Sequence, residues 1–248
     1  MRLTVLGSCG AWPAAGDACS GFLVEHDGFR LVLDLGYAVV PRLLTLLGAD
    51  EVDAVVISHG HPDHCADLNP LLRARTLVEH PAPPLPVYAP AGALNAVLAL
   101  DRPGMLDAAV EVHELPPTVH LGPFRIDATP LPHTLPNMGV RVAASGRVLA
   151  YTGDTGPSPS IVELARGADV LLAEATYVDE VPEDSRRHLS SARQAGEYAA
   201  QAGVGRLLMT HLWPGADPAA ACAAAEGAAA HGAGSVRVAS AGEVVDLD

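Results

Sequence analysis

The stretch His59-Gly60-His61-Pro62-Asp63-His64 constrains this chain more than any other. It follows an apolar, β-branched run from Val52 to Ile57, which reads as a buried strand ending at Ser58. Side chains alternate along an extended segment, so His59 and His61 point the same way. Pro62 suits the first turn of a helix, and Asp63 and His64 then open that helix. Three imidazoles and a carboxylate therefore gather where a strand meets a helix. Without a partner they would crowd costly polar groups at a strand terminus. Imidazole and carboxylate together suit zinc and other first-row divalent ions.

The remaining pattern is a series of short strands and helices. Strands are expected at Leu3 to Leu6, Gly21 to Glu25, Arg30 to Asp34, Val87 to Ala89, Val110 to Glu114 and Phe124 to Thr129. Further strands are expected at Val140 to Ala144, Val148 to Thr152, Asp169 to Ala173, Arg206 to Thr210, Val236 to Ala239 and Glu243 to Asp246. Hairpins turn at His26-Asp27-Gly28 and Ser145-Gly146-Arg147. Helices are expected near Tyr37 to Leu47, Asp63 to Leu72, Ala91 to Leu100 and Ser158 to Arg166. Two more run from a cap at Ser190 or Ser191 to Ala202, and over the alanine-rich stretch Pro218 to Ala230. This pattern alone gives an α/β or α+β chain in one compact domain, residues 1–248. Trp12 is read as a core residue, with the mouth of the site as the alternative. His113 and His120 are read as exposed.

Other candidate ligands stand at later strand ends: His133 in Pro132-His133-Thr134, Asp154 in Thr152-Gly153-Asp154-Thr155, and His211 in Met209-Thr210-His211-Leu212. With H-x-H-x-D-H and Asp34 in Leu33-Asp34-Leu35-Gly36, this series resembles the metallo-β-lactamase superfamily. The resemblance implies an α+β fold, a four-layer αββα sandwich with metals at one edge between two sheets. It also implies roles. His59, His61 and His133 hold one metal; Asp63, His64 and His211 hold a second; Asp154 bridges them. Asp34 orients a metal-binding histidine, or caps the helix that follows it.

Seven candidates are too many for one tetrahedral zinc. A pair of ions roughly 3.5–4 Å apart can bind a hydroxide between them and clamp a phosphoryl or acyl group. Zinc is the expected metal, with manganese or iron as alternatives, and Asp63 counts as catalytic as well as a ligand. Glu174-Ala175-Thr176 and His188-Leu189-Ser190 resemble paired elements of the transfer-RNA 3′-processing (tRNase Z) branch. There the histidine gives a proton to the leaving oxygen and the glutamate orients it, which assigns these roles to His188 and Glu174. On the residues alone, His188 reads as a solvated loop residue beside Arg186 and Arg187.

The segment between His133 and Asp154 holds one hairpin and has no room for an RNA-gripping arm. Formal net charge is -14, from 15 basic and 29 acidic residues, which opposes binding to a polyanion. The expected function is thus a dinuclear zinc phosphodiesterase acting on a small phosphodiester such as a cyclic nucleotide. Precursor transfer RNA, or a thioester or lactone, are the alternative substrates. Asn137 and Arg141 are read as phosphate contacts or strand-surface residues. Cys9, Cys19, Cys65 and Cys222 lack C-x-x-C spacing and read as free thiols, with Cys65 a buried small residue beside the metal motif. No signal-like or membrane-spanning run is visible, so a cytoplasmic protein is expected, and the resemblance suggests a homodimer.

Overall fold

The computed structural model describes residues 1–229 and 232–247. Its first half opens with β1 (Arg2–Gly7), β2 (Gly21–His26), β3 (Phe29–Leu35), α1 (Val39–Leu43) and β4 (Ala54–Val56). It continues through α2 (Pro62–Cys65), α3 (Leu68–Thr76), β5 (Leu85–Ala89), α4 (Asn95–Leu98) and β6 (Val110–Glu114). The second half contains β7 (Thr118–Leu121), β8 (Phe124–Leu131), β9 (Asn137–Ala144), β10 (Arg147–Tyr151), α5 (Pro159–Ala165) and β11 (Val170–Glu174). It closes with α6 (Ala192–Ala202), β12 (Arg206–Thr210), α7 (Pro218–Ala229), β13 (Ser235–Val238) and β14 (Val244–Asp246).

Each half supplies most of one sheet, and β14 returns to the edge of the first. The first runs β14-β1-β2-β3-β4-β5-β6, the second β13-β12-β11-β10-β9-β8-β7. Both start as antiparallel hairpins and continue as parallel strands, β3 to β6 and β10 to β13. The two-residue hairpin turns take positive φ at Asp27 and Gly28, and at Ser145 and Gly146, matching the right-handed strand twist.

The parallel strands are apolar on both faces because both faces are covered. Ala54 and Val56 of β4 pack between the sheets with Phe22, Leu33, Phe124, Val142, Leu172 and Leu208. The alternate residues Val55 and Ile57 face α1, α3 and α4 through Val39, Leu43, Leu68, Leu72 and Val97. Likewise Leu171 and Ala173 of β11 face α5, α6 and α7. The layers are therefore helix, sheet, sheet, helix, the expected α+β sandwich.

Small residues let the outer helices approach closely. A Cβ at Gly196 of α6 would lie 2.2 Å from the Ala225 carbonyl oxygen of α7. Gly196→Val should therefore force the two helices apart. The expected cost is about 1–3 kcal/mol, which lowers Tm by roughly 2–4 °C per kcal/mol. A melt unchanged by the substitution would contradict this packing.

Several elements differ from their expected form. The helix read from Asp63 to Leu72 is two, α2 and α3. The break is at Asp67, whose carboxylate accepts the Val40 amide at 2.8 Å while its own amide donates to Leu35 O. The helix read from Tyr37 to Leu47 contracts to α1, whose N-cap Ala38 has no side-chain cap. The one read from Ala91 to Leu100 contracts to α4. Strand β7 is not among the expected strands; it lies between Pro116-Pro117 and Gly122 and pairs antiparallel with β8. His120 on β7 is exposed, but His113 is half-buried and stacks on Tyr88 at 4.7 Å. Ser158 and Ser191 cap α5 and α6 with their hydroxyls. The last helix ends at Ala229 as described; Ala230 lies outside the described residues. All four cysteines are free, Cys65 among them buried at 3% exposure. Among the described residues no helix is long and apolar enough to cross a membrane.

Candidate metal centre

The ends of β4, β8, β10 and β12 meet at one edge of the sandwich, and each hands over to a loop carrying a candidate ligand. His59 follows β4. His61 is the extended N-cap residue of α2 (φ −72°, ψ 144°), Pro62 fills its first position, and Asp63 and His64 lie in its single turn. His133 follows β8, Asp154 follows β10 and His211 follows β12. Gly36, just after β3, lets α2 seat directly on the sheet: a Cβ there would lie 1.9 Å from the Asp63 carbonyl oxygen.

All seven expected groups converge, and they form two sets sharing one carboxylate. His59, His61, His133 and Asp154 are one set; Asp63, His64, Asp154 and His211 are the other, with donor atoms within 4.8 Å of one another in each. In the first, His61 Nδ1 lies 3.0 Å from His59 Nε2 and 3.1 Å from His133 Nε2. Asp154 Oδ2 lies 3.8 Å and 3.9 Å from the Nε2 atoms of His59 and His133. In the second, His211 Nε2 is 3.2 Å from both Asp63 Oδ2 and Asp154 Oδ2, and His64 Nε2 is 3.2 Å from Asp154 Oδ1.

The donor set fits divalent cations. Nitrogens of separate rings point at common centres, at separations expected when each lies about 2.0–2.1 Å from one ion. His64 Nε2 and Asp154 Oδ1 are buried and make no hydrogen bond despite their closeness, so they face a shared point and not each other. Such orphaned atoms would be costly in a protein that bound nothing there.

The outward ring nitrogens are held by the protein. His64 Nδ1 donates to Asp34 Oδ2 at 2.7 Å, and His133 Nδ1 to the His188 carbonyl oxygen at 2.8 Å. His211 Nδ1 lies 3.0 Å from Thr176 Oγ1 and His59 Nδ1 lies 3.1 Å from Ser58 Oγ. These contacts leave Nε2 of all four facing inward. Asp34 accepts three more bonds, from Ser58 N, Ser58 Oγ and Tyr151 OH, all within 2.7 Å. It orients His64 as the resemblance implied, and caps no helix. Ser58 and Tyr151 were missed in the sequence, although each directly adjoins a motif.

Charge is balanced within the cluster. Burial opposes the charged form of His64, but Asp154 and Asp34 outweigh it and hold its pKa well above the usual imidazole value. Burial likewise opposes the Asp154 carboxylate, and His211 and His64 overcome it, keeping it ionised. Burial lowers the pKa values of His59, His61 and His133, which favours the neutral, metal-binding form.

Glu174 sits differently from expectation. Its Oε1 accepts from Thr155 N (3.1 Å) and Ser190 N (2.9 Å), and its Oε2 from Thr176 N (3.0 Å) and Thr176 Oγ1 (2.8 Å). Four donors saturate the carboxylate, and among the described residues no hydrogen bond joins it to the His188 ring. Its reach to the metal centre is through Thr176, whose hydroxyl donates to Glu174 and accepts from His211. Burial, reinforced by Asp154, pushes the Glu174 carboxyl up to about 7. His188 is half-buried against His133 through its carbonyl oxygen, and its own Nδ1 is buried without a partner. Asn137 is buried and donates to Thr152 O, while Arg141 donates to Leu164 O and Arg166 O at the outer helix. Arg141 is thus a strand-surface residue and not a phosphate contact. Trp12 is 49% exposed, which corrects the reading of a core tryptophan.

The Beta-lactamase superfamily domain model matches residues 26–212, a span that takes in all seven ligand candidates. "Probable metallo-hydrolase YhfI" of Bacillus subtilis is 32% identical over 218 residues, covering 86% of this chain and 87% of that protein. The crystal structure of YhfI superposes with a TM-score of 0.89 at 28% identity, covering 99% of both chains. Ribonuclease Z of Mycolicibacterium gilvum is 30% identical, over 88% of this chain and 86% of that one. The short form of human tRNase Z shares the fold, with a TM-score of 0.79 at 22% identity over the whole of both chains. Family match, sandwich and paired ligand sets agree: the chain belongs to the metallo-β-lactamase superfamily and is a metal-dependent hydrolase.

Proposed function

We propose that this chain is a dinuclear zinc phosphodiesterase that cleaves a small phosphodiester such as a cyclic nucleotide. The observation that carries the reading is Asp154, common to two ligand sets that otherwise share no residue. His59, His61 and His133 would hold one ion and Asp63, His64 and His211 the other. When bound, such a pair supplies Lewis acidity at the phosphoryl oxygens and an ionised water near neutral pH.

The chain's own groups do the rest. Asp34 and Thr176 fix the tautomers of His64 and His211, and the His188 carbonyl fixes that of His133. Glu174 braces the loop from both sides, through Thr155 beside Asp154 and through Ser190 two residues beyond His188. His188, whose backbone carbonyl already holds His133, gives a proton from its ring to the departing oxygen. The relatives named Ribonuclease Z support phosphodiester chemistry. Only β9 and β10 separate His133 from Asp154, and the charge of -14 disfavours a long RNA, so the substrate is small.

His188→Ala tests the proton donor. A p-nitrophenolate leaves with little help, whereas a ribose alkoxide needs a proton. The variant should lose about 10²–10⁴-fold in kcat on a cyclic nucleotide, and much less on bis-p-nitrophenyl phosphate, with metal content unchanged. Equal activity on the cyclic nucleotide would remove His188 from the reaction. The identity to Ribonuclease Z favours precursor transfer RNA as a second reading, which a gel assay for 3′-trailer cleavage decides. Thioesters and lactones complete the substrate panel.

A further inference from the structure

The chain holds ten aromatic residues, of which two are tryptophan, and both tryptophans stand together on the surface. Trp12 and Trp213 are 49% and 39% exposed, with ring centroids 6.0 Å apart. Tyr177, half-buried, adds a third ring 5.3 Å from Trp213. Single exposed apolar residues are ordinary, but the whole tryptophan complement exposed in one cluster is not.

Each ring is carried on a segment that is anchored to the metal centre. The Ala11 amide, one residue before Trp12, donates to Asp63 Oδ2 at 2.8 Å. Thr176, one residue before Tyr177, touches His211 Nδ1 at 3.0 Å. Trp213 is two residues after His211 itself. The segments are also joined to one another: His211 N donates to Ser8 O, Gly10 N to Leu212 O, and Ala175 N to Thr210 O. Ala11 and His211 both hold positive φ, 62° and 65°, which turns the chain sharply at these points. The rings are therefore set beside the phosphoryl-binding edge by short, rigid connections, and not by a mobile loop.

Resting on the phosphodiesterase reading, we propose that Trp12, Trp213 and Tyr177 form a stacking subsite for the nucleobase of a small nucleotide whose phosphoryl group lies at the metal centre. An acidic chain cannot hold an anionic substrate by general charge, and every base presents a π-face that such rings accept. The cluster would thus supply affinity for the part of the substrate that does not react.

Because the chain's two tryptophans both lie in the cluster, their fluorescence reports on it alone. With zinc-loaded protein, adenosine 5′-monophosphate should quench the emission and ribose 5-phosphate should not. The nucleotide should also inhibit bis-p-nitrophenyl phosphate hydrolysis about five- to hundredfold more strongly than ribose 5-phosphate, as one stacked base allows. Trp12→Ala and Trp213→Ala should abolish this preference, and Trp12→Phe and Trp213→Phe should keep most of it. Equal inhibition by both compounds without quenching, or a preference untouched in the alanine variants, overturns the proposal while leaving the phosphodiesterase reading intact. Alanine variants that dissociate a dimer in sedimentation and keep the preference overturn it too, and make the cluster a contact between copies. Quenching by the nucleotide in a protein that hydrolyses no phosphodiester would sustain the subsite and sink the phosphodiesterase reading.

Discussion

Asp154→Ala is expected to disable both halves of the metal centre in one step. The carboxylate is 3% exposed and lies within 3.9 Å of the inward nitrogens of His59, His64, His133 and His211. No other residue belongs to both ligand sets. Its loss would leave each set with three ligand residues, would remove a negative charge that the buried imidazoles face, and would remove the one residue through which a pair of ions could be held together. Lewis-acid stabilisation of several kcal/mol depends on that arrangement, so turnover should fall by about 10³-fold or more. His61→Ala is the informative comparison, because half-buried His61 serves one set alone: it should retain about one ion where Asp154→Ala retains neither firmly. Elemental analysis and turnover measured on the same preparation check this. Asp154→Ala protein that kept two tightly held ions would show that the residue is not shared.

Asp34→Ala should be the most damaging change outside the ligands. It strands Tyr151 OH, the Ser58 hydroxyl and amide, and His64 Nδ1, all buried donors that now converge on one carboxylate within 2.7 Å. Losing the charged partner of such a network costs about 3–5 kcal/mol, or roughly 2–4 °C in Tm for each kcal/mol. Asp34 also holds φ 58°, a conformation that aspartate and asparagine accept more readily than alanine. Asp34→Asn should accordingly fold better, yet weaken metal binding by about 10–100-fold, because an amide orients His64 without the carboxylate's charge. Thermal unfolding with and without chelator separates the two effects. A metal-free Asp34→Ala protein as stable as the metal-free parent would contradict the network.

Much of this architecture is legible in the sequence. The Asp27-Gly28 and Ser145-Gly146 turns and the cap at Ser191 are local signals with local causes, and each formed the element it announced; the β-branched run from Val52 to Ile57 formed a shorter strand, β4, over Ala54–Val56. The cluster from His59 to His64 was legible from its own spacing; His133, Asp154 and His211 were named through the family resemblance, and strands that end at one edge bring them to it. What escaped depends on distant parts of the chain. The break between α2 and α3 comes from Asp67 reaching back to Val40, which helix propensity cannot register. Glu174 looked like a partner for His188, but the amides of Thr155, Thr176 and Ser190 close on it first. Trp12 looked like core because large aromatics usually are; its exposure follows from where the Asp63 contact at Ala11 pins the loop.

The most direct test is diffraction from crystals of zinc-loaded protein at the zinc absorption edge. Two anomalous peaks are expected, one among His59, His61 and His133 and the other among Asp63, His64 and His211, with Asp154 touching both. A single peak, or peaks away from Asp154, would contradict the paired-cation centre.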